Sequence, residues 1–235
     1  MSGGVAAVLV AAGRGGRLGS STPKQFLDLG GLPLLEWSVR TFSSHPDVDH
    51  LIAVLPPETA ERPPAWLAEA ARDRGLAVVA GGRTRAESVA RGVERAPPEA
   101  RVFLIHDGVR PFASPALIAR VAGRAASTAV VPVLPVTDTI KRVDEEGRVV
   151  ETEDRRRLRR AQTPQGFPGE LLRDLHARRP PSEDITDDAL LWERDGRPVI
   201  TVEGEPLNLK VTGPRDLEYA RWLVETGVIG RPQWG

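Results

Sequence analysis

Apolar runs of strand length recur at residues 5–10, 51–55, 77–80, 102–106 and 129–134, and within each the apolar positions follow one another with little polar alternation. Strands of that kind are covered on both faces, as in a parallel sheet lined by helices on either side. The segments between them carry helical spacing instead. Leu34, Leu35, Val39 and Phe42 share one helix face, as do Leu117, Ile118, Val121, Ala122 and Ala125. Thr84, followed three residues later by Glu87, fits a capping box that opens a helix running toward Arg95. Strand and helix in alternation predict an α/β fold with a Rossmann-like, doubly wound and mostly parallel sheet.

After residue 134 the pattern changes. Residues 139–143 and 148–152 read as two short strands joined by the turn Asp144-Glu145-Glu146-Gly147, and both are too polar to be core strands. They predict a β-hairpin arm over 138–155 that projects from the sheet, and such an arm is expected to join two copies into a homodimer. Farther on, the pattern predicts a helix over 168–177, another after the acidic residues 182–188, strands at 198–202 and 207–211, and a last helix opening at Pro214. No repeat or low-complexity segment interrupts the chain, so residues 1–235 are expected to form one domain that carries the arm.

Composition narrows the function. The 32 basic and 32 acidic residues cancel, so no overall field favours nucleic acid or an anionic membrane. No apolar run reaches the roughly 20 residues of a membrane span, and the first residues lead straight into a strand, so a cytoplasmic protein is expected. The lack of cysteine excludes a disulfide, a thiolate nucleophile and a cysteine-ligated zinc. His45, His50, His106 and His176 form no obvious relay. Lys24, Lys141 and Lys210 are the only lysines, which leaves 29 of the 32 basic residues as arginine. Such a chain keeps lysine where a compact, flexible point charge serves better than a planar fork.

In an open parallel sheet, ligands bind beyond the carboxyl ends of the strands, where the strand order reverses. The loops that matter are therefore AAGRGGRLGSSTPKQ after the first strand, GGRTRAES after the third, HDGVRP after the fourth, and Lys210 in LNLKV. A dinucleotide fingerprint set on Gly13 and Gly15 needs glycine at 18, where Leu18 stands, and the Gly-Lys-Ser/Thr of a P-loop is missing. What is left is a glycine loop that lets backbone amides approach an anion, with Arg14, Arg17 and Lys24 as cations. That combination predicts a cradle for polyphosphate.

AAGRGGRLG followed by PKQF resembles the signature of the sugar-nucleotide pyrophosphorylase superfamily. Together with HDGVRP, PVTDTIKR, the Asp-Arg before LRRAQTPQGF, ITDDA and NLKVT, in order from about Val5 to Thr212, the chain is similar to the 2-C-methyl-D-erythritol 4-phosphate cytidylyltransferase family. The resemblance implies a reaction in which CTP and methylerythritol 4-phosphate give a cytidine diphosphate alcohol and pyrophosphate, with magnesium as the divalent cation, in non-mevalonate isoprenoid synthesis. The attacking phosphate monoester has a second pKa of about 6 and is already a dianion near neutrality. No general base is needed, and the difficulty is bringing one polyanion to another, which cations and a metal ion relieve.

The resemblance also assigns residues. Arg17 and Lys24 would stabilise charge on the triphosphate, and Arg155 and Lys210 would position the incoming phosphate. Thr139 and Arg155 on the arm would reach a neighbouring subunit's site, with Thr163 and Thr186 near the substrate. Ala11, Ala12 and Gly13 would bring backbone to the nucleotide, and Gly82 and Ser88 would face the cytosine. Asp107 would bind magnesium or orient the nucleotide, with Arg110 beside it. Arg83, Val109 and Asp188 depart from the family's usual residues. Two rivals remain: a cytidylyltransferase acting on ribitol 5-phosphate, and a non-catalytic nucleotide- or RNA-binding protein. The second would rest on the arginines of 155–160, and it predicts strongly salt-dependent RNA affinity. The neutral net charge and the lack of stacking aromatics near that run speak against it.

Overall fold

The structure is a computed structural model in which residues 4–13, 22–178, 185 and 187–234 are described. The first half runs β1 (Val5–Val10), β2 (Asp28–Leu29), β3 (Leu32–Pro33), α1 (Leu34–Ser43), β4 (His50–Leu55), α2 (Pro57–Glu61), α3 (Ala65–Asp73), β5 (Ala77–Ala80), α4 (Arg85–Arg95) and β6 (Val102–Asp107). The second half runs α5 (Pro115–Ala122), β7 (Ala129–Pro135), β8 (Lys141–Val143), β9 (Val149–Thr152), β10 (Arg159–Ala161), β11 (Gln165–Pro168), α6 (Gly169–Arg178), α7 (Asp188–Arg194), β12 (Val199–Glu203) and α8 (Pro214–Glu225).

The main sheet has the order β10-β7-β11-β6-β1-β4-β5, with β12 also paired to β7. β1 lies parallel between β4 and β6, β5 continues parallel beyond β4, and β12 is parallel to β7. β10 and β11 run antiparallel to their neighbours. The sheet is thus mixed and mostly parallel with flanking helices, as the run pattern predicts. β10 and β11 carry no such signal, since one is Arg-Arg-Ala and the other includes glycine and proline.

Successive residues of the strands feed two cores. Ala7, Leu9, Ala53, Leu55 and Leu104 turn toward α1, α3 and α5, while Ala6, Val8, Ile52, Val54, Phe103 and Ile105 turn toward α4, α6 and α7. Polar alternation is absent because both faces are buried. α4 comes so near β1 that a Cβ on Gly92 would stand 2.4 Å from a methyl of Val8. A third cluster joins Leu29, Trp37 and Phe112 to Val211 and to Leu217, Ala220 and Leu223 of α8.

β8 and β9 pair with each other, forming the hairpin predicted over 138–155 with shorter strands. Its residues are exposed, including Val149 at 59% and Val150 at 57%. Arg142 bridges to Glu151 and Glu153 across the ladder.

The strand expected at 207–211 is not formed. The Asn208 N–H is taken by the Glu205 carbonyl and that of Leu209 by Leu207, so the backbone turns locally instead of joining a ladder. The capping box also differs by one position. Thr84 Oγ1 accepts the Glu87 N–H as predicted, but the Glu87 carboxylate accepts the N–H of Arg83 instead of that of Thr84. Glu87 therefore ties down the loop ahead of α4.

Candidate active site

The chain passes from β1 to β4 and β5 on one side, then returns to place β6 on the other side of β1, with Val10 opposite Asp107. The strand order reverses beside β1, and the loops leaving these carboxyl ends splay apart. A cleft of about 360 Å³ opens there. Ala11, Ala12 and Gly13 form its floor, Gly82 and Ser88 one wall, and Asp107 with Lys210 the other. Lys24 and Gln25, from a single 3₁₀ turn, close an edge. A second hollow shares Ala12, Gly13, Gly82 and Arg83 with the cleft, lengthening the depression along the glycine side.

Gly81 and Gly82 are glycines for steric reasons. A Cβ at Gly81 would lie 2.3 Å from that of Ala12, and one at Gly82 would lie 2.4 Å from that of Glu87. The Ser88 hydroxyl accepts the Gly82 N–H at 3.1 Å and donates to the Thr84 carbonyl at 2.9 Å. Ser88 thus lines the cleft and also fixes the loop that forms its wall.

Asp107 carries most of the local electrostatics. Lys210 Nζ lies 2.8 Å from one carboxylate oxygen, Arg110 Nε 3.5 Å from the same oxygen, and Arg85 Nε 3.6 Å from the other. Burial alone would raise the Asp107 carboxyl, but Arg85, Lys210 and Arg110 outweigh it and hold the group well below the usual carboxylate range. Burial lowers the Arg110 guanidinium, and Asp107 opposes that shift. Among the described residues no three His, Cys, Asp or Glu side chains converge to hold a metal. A single carboxylate beside a polyphosphate is nevertheless a common way for magnesium to be held, the substrate supplying further oxygens. The donor set fits a cation that arrives with a nucleotide.

The backbone around Asp107 is braced from behind. Thr163 Oγ1 accepts the Asp107 N–H at 3.0 Å and lies 3.1 Å from His106 Nδ1. His106 Nε2 is 3.0 Å from the Arg110 carbonyl, and burial pushes the imidazole down to about 4. Asn208 Nδ2 donates to the Thr163 carbonyl, Arg110 Nη1 donates to the Asn208 carbonyl, and the Val211 N–H donates to Val109. These bonds hold Lys210 against Asp107 without a strand beneath it.

Of the residues singled out in the sequence, the cleft gathers Ala11, Ala12, Gly13, Lys24, Gly82, Ser88, Asp107 and Lys210. Arg110 and Thr163 stand behind Asp107 and do not line it. Thr139 and Arg155 are exposed at the base of the arm, where Arg155 donates to the Thr137 carbonyl. Arg17 and Thr186 lie outside the described residues. Arg85, Gln25 and Asn208 were missed. Gln25 is buried with neither end of its amide partnered among the described residues, a feature with no counterpart in the sequence pattern. Arg85 was concealed among 29 arginines, and only its place just after the cap Thr84 could have singled it out.

A family profile described as 2-C-methyl-D-erythritol 4-phosphate cytidylyltransferase matches residues 5–226. A relative of that name from Nocardia farcinica is 46% identical over 225 residues, covering 95% of each chain. A bifunctional IspD/IspF enzyme of Solidesulfovibrio magneticus is 46% identical over 89% of this chain, which spans 54% of that longer protein. The crystal structure of the cytidylyltransferase of Thermus thermophilus superposes with a TM-score of 0.74 at 39% identity, covering 92% of this chain and 96% of the other. The chain therefore belongs to the 2-C-methyl-D-erythritol 4-phosphate cytidylyltransferase family, CTP-dependent nucleotidyltransferases of isoprenoid biosynthesis.

Proposed function

We propose that the cleft between β1, β5 and β6 carries this reaction with the following division of labour. The observation that carries it is Lys210 held on Asp107 at 2.8 Å opposite the glycine wall, so that fixed charge faces a surface of backbone. Cytosine lies against Gly82 and Ser88, and the ribose and first phosphate lie along Ala11, Ala12 and Gly13. Lys24 and Arg17 take the charge of the triphosphate. The phosphate monoester attacks the α-phosphorus, the bond from that phosphorus to the bridging oxygen breaks, and pyrophosphate leaves with the electron pair. Lys210 and Arg155 position the attacking dianion.

No proton needs removing from the nucleophile. Both nitrogens of the nearest imidazole, His106, are already engaged in bracing. Asp107 would hold magnesium together with the phosphates, and the cation would offset charge that develops on them. Thr163 and Arg110 act by fixing the Asp107 turn, and Thr186 would serve the acceptor. The chain works in the cytoplasm as one domain, and two copies join through the arm of residues 138–155. Thr139 and Arg155 of one copy then serve the cleft of the other. The exposed valines of β8 and β9 support that pairing. Val149→Asp with Val150→Asp should turn a dimer into a monomer in sedimentation, and a single-chain mass for the parent chain would refute it.

The deciding assay is pyrophosphate release with CTP, UTP, GTP and ATP, each against methylerythritol 4-phosphate and ribitol 5-phosphate, with and without magnesium. Release confined to CTP, methylerythritol 4-phosphate and magnesium is expected. A preference for ribitol 5-phosphate would overturn the acceptor, and absence of release under every pairing would overturn the catalytic reading.

A further inference from the structure

Arg85 reaches the cleft wall from the first turn of α4 and meets two acids. Its Nη1 donates to Asp188 Oδ2 at 2.8 Å, whereas its Nε lies 3.6 Å from Asp107 Oδ1. Asp188 is 0% exposed and does not line the cleft. On its far side, His176 Nε2 stands 3.4 Å from its second oxygen. Lys210, Asp107, Arg85 and Asp188 thus form a continuous chain of charge from the cleft into the interior.

A buried ion pair is a poor source of stability, because desolvating both charges consumes most of the attraction, and apolar residues of similar volume serve as well. The pair therefore calls for another role. Asp188 holds the guanidinium by the shorter contact, so Asp107 receives Arg85 at arm's length and keeps an oxygen for Lys210. Without Asp188, the one remaining ion-pair partner of Arg85 among the described residues is Asp107. The guanidinium would then close on Asp107 and compete with whatever that carboxylate holds in the cleft.

We propose that Arg85 is a positioning residue for Asp107 and that the buried Asp188 sets it, so that Asp188 governs nucleotide use without touching the nucleotide. The inference deepens the reading of the cleft as a CTP site and rests on it. Asp188→Asn should weaken CTP binding on the order of tenfold in calorimetry without acceptor, and lower kcat/KM for CTP alike. In an Arg85→Met background the same change should matter less than about twofold, since its intermediary is gone. The double variant Arg85→Met/Asp188→Leu removes both charges and should keep the parental melting temperature while binding CTP more tightly than Asp188→Asn, because no guanidinium is left to close on Asp107.

A double variant that binds CTP no better than Asp188→Asn would mean that Arg85 does not carry the effect and would overturn the inference. So would an Asp188→Asn protein that binds CTP as the parent does, or a parent that binds no CTP. If the parent binds CTP with this coupling but releases no pyrophosphate with any acceptor, the proposed reaction fails while the Arg85–Asp188 assignment stands.

Discussion

Thr163→Val tests the bracing of Asp107 most directly, because it removes a hydroxyl and keeps the shape. Thr163 is 5% exposed, and its oxygen stands between two buried groups, the Asp107 N–H and His106 Nδ1. The proton positions follow from the partners. The Arg110 carbonyl can only accept, so His106 Nε2 carries the hydrogen and Nδ1 offers a lone pair. The threonine hydroxyl must therefore donate to Nδ1 while accepting from Asp107. Valine satisfies neither, and each buried group left alone costs about 1–3 kcal/mol. The sum is about 2–6 kcal/mol, and at about 2–4 °C per kcal/mol for a chain of this size the melting temperature should fall by at least about 4 °C. Thr163→Ser keeps the hydroxyl and should recover most of the loss. Calorimetry of the three proteins decides it. A valine variant melting within about 2 °C of the parent would refute the network, and lost turnover at unchanged stability would instead assign Thr163 to direct substrate contact.

Other outcomes can be stated in advance. Lys24→Ala should lower turnover by about 10²-fold or more while the circular dichroism spectrum is retained, the scale of losing one preorganised charge at a transition state; near-normal steady-state turnover would remove Lys24 from the mechanism. His106 has a folded pKa of about 4, below its ordinary value near 6.5, so the unfolded chain binds its proton first. The stability it contributes is complete above about pH 6.5 and should decline by about 3 kcal/mol as pH falls to about 4. Urea midpoints for the parent and His106→Gln over that interval should show a shallower slope in the variant. Thr84→Ala removes the cap that accepts the Glu87 N–H at 3.0 Å and should cost about 1 kcal/mol by denaturant melts, while an unchanged midpoint would mean water replaces the cap.

Much of the architecture was legible because its signal is periodic. Both faces of β1, β4 and β6 are buried, so their residues are apolar in succession, and the helices show the spacing that the two cores demand. The glycine wall was legible for a different reason. Where a Cβ would stand 2.3 Å from that of Ala12, sterics admit only glycine, and the residue type records the constraint. β10 and β11 left no such trace. β10 is exposed and needs no apolar face, and β11 is buried by its neighbours through backbone pairing that Gln165, Gly166 and Pro168 do not advertise. Arg85 and Asp188 were hidden because they lie 103 positions apart in the chain and meet only when α4 and α7 pack against the same sheet face.

Lys210 shows how a correct residue can come from an incorrect element. Alternation in Leu207-Asn208-Leu209-Lys210-Val211 predicted a strand, and the ladder is absent, yet the division into two sides survives. Val211 is buried in the third cluster with Leu207 and Leu209 packed against it, and Lys210 faces the cleft. What replaces the ladder is Asn208, 0% exposed, whose backbone and side chain are bonded to Glu205, Arg110, Gln162 and Thr163. Its side-chain Nδ2 satisfies the Thr163 carbonyl, and its own N–H and carbonyl are taken up by Glu205, Arg110 and Gln162, so each backbone group is paired with no neighbouring strand present. Alternation in a sequence records which side a residue must face; it does not record whether the bonds that hold it there are made by a strand or by one buried asparagine.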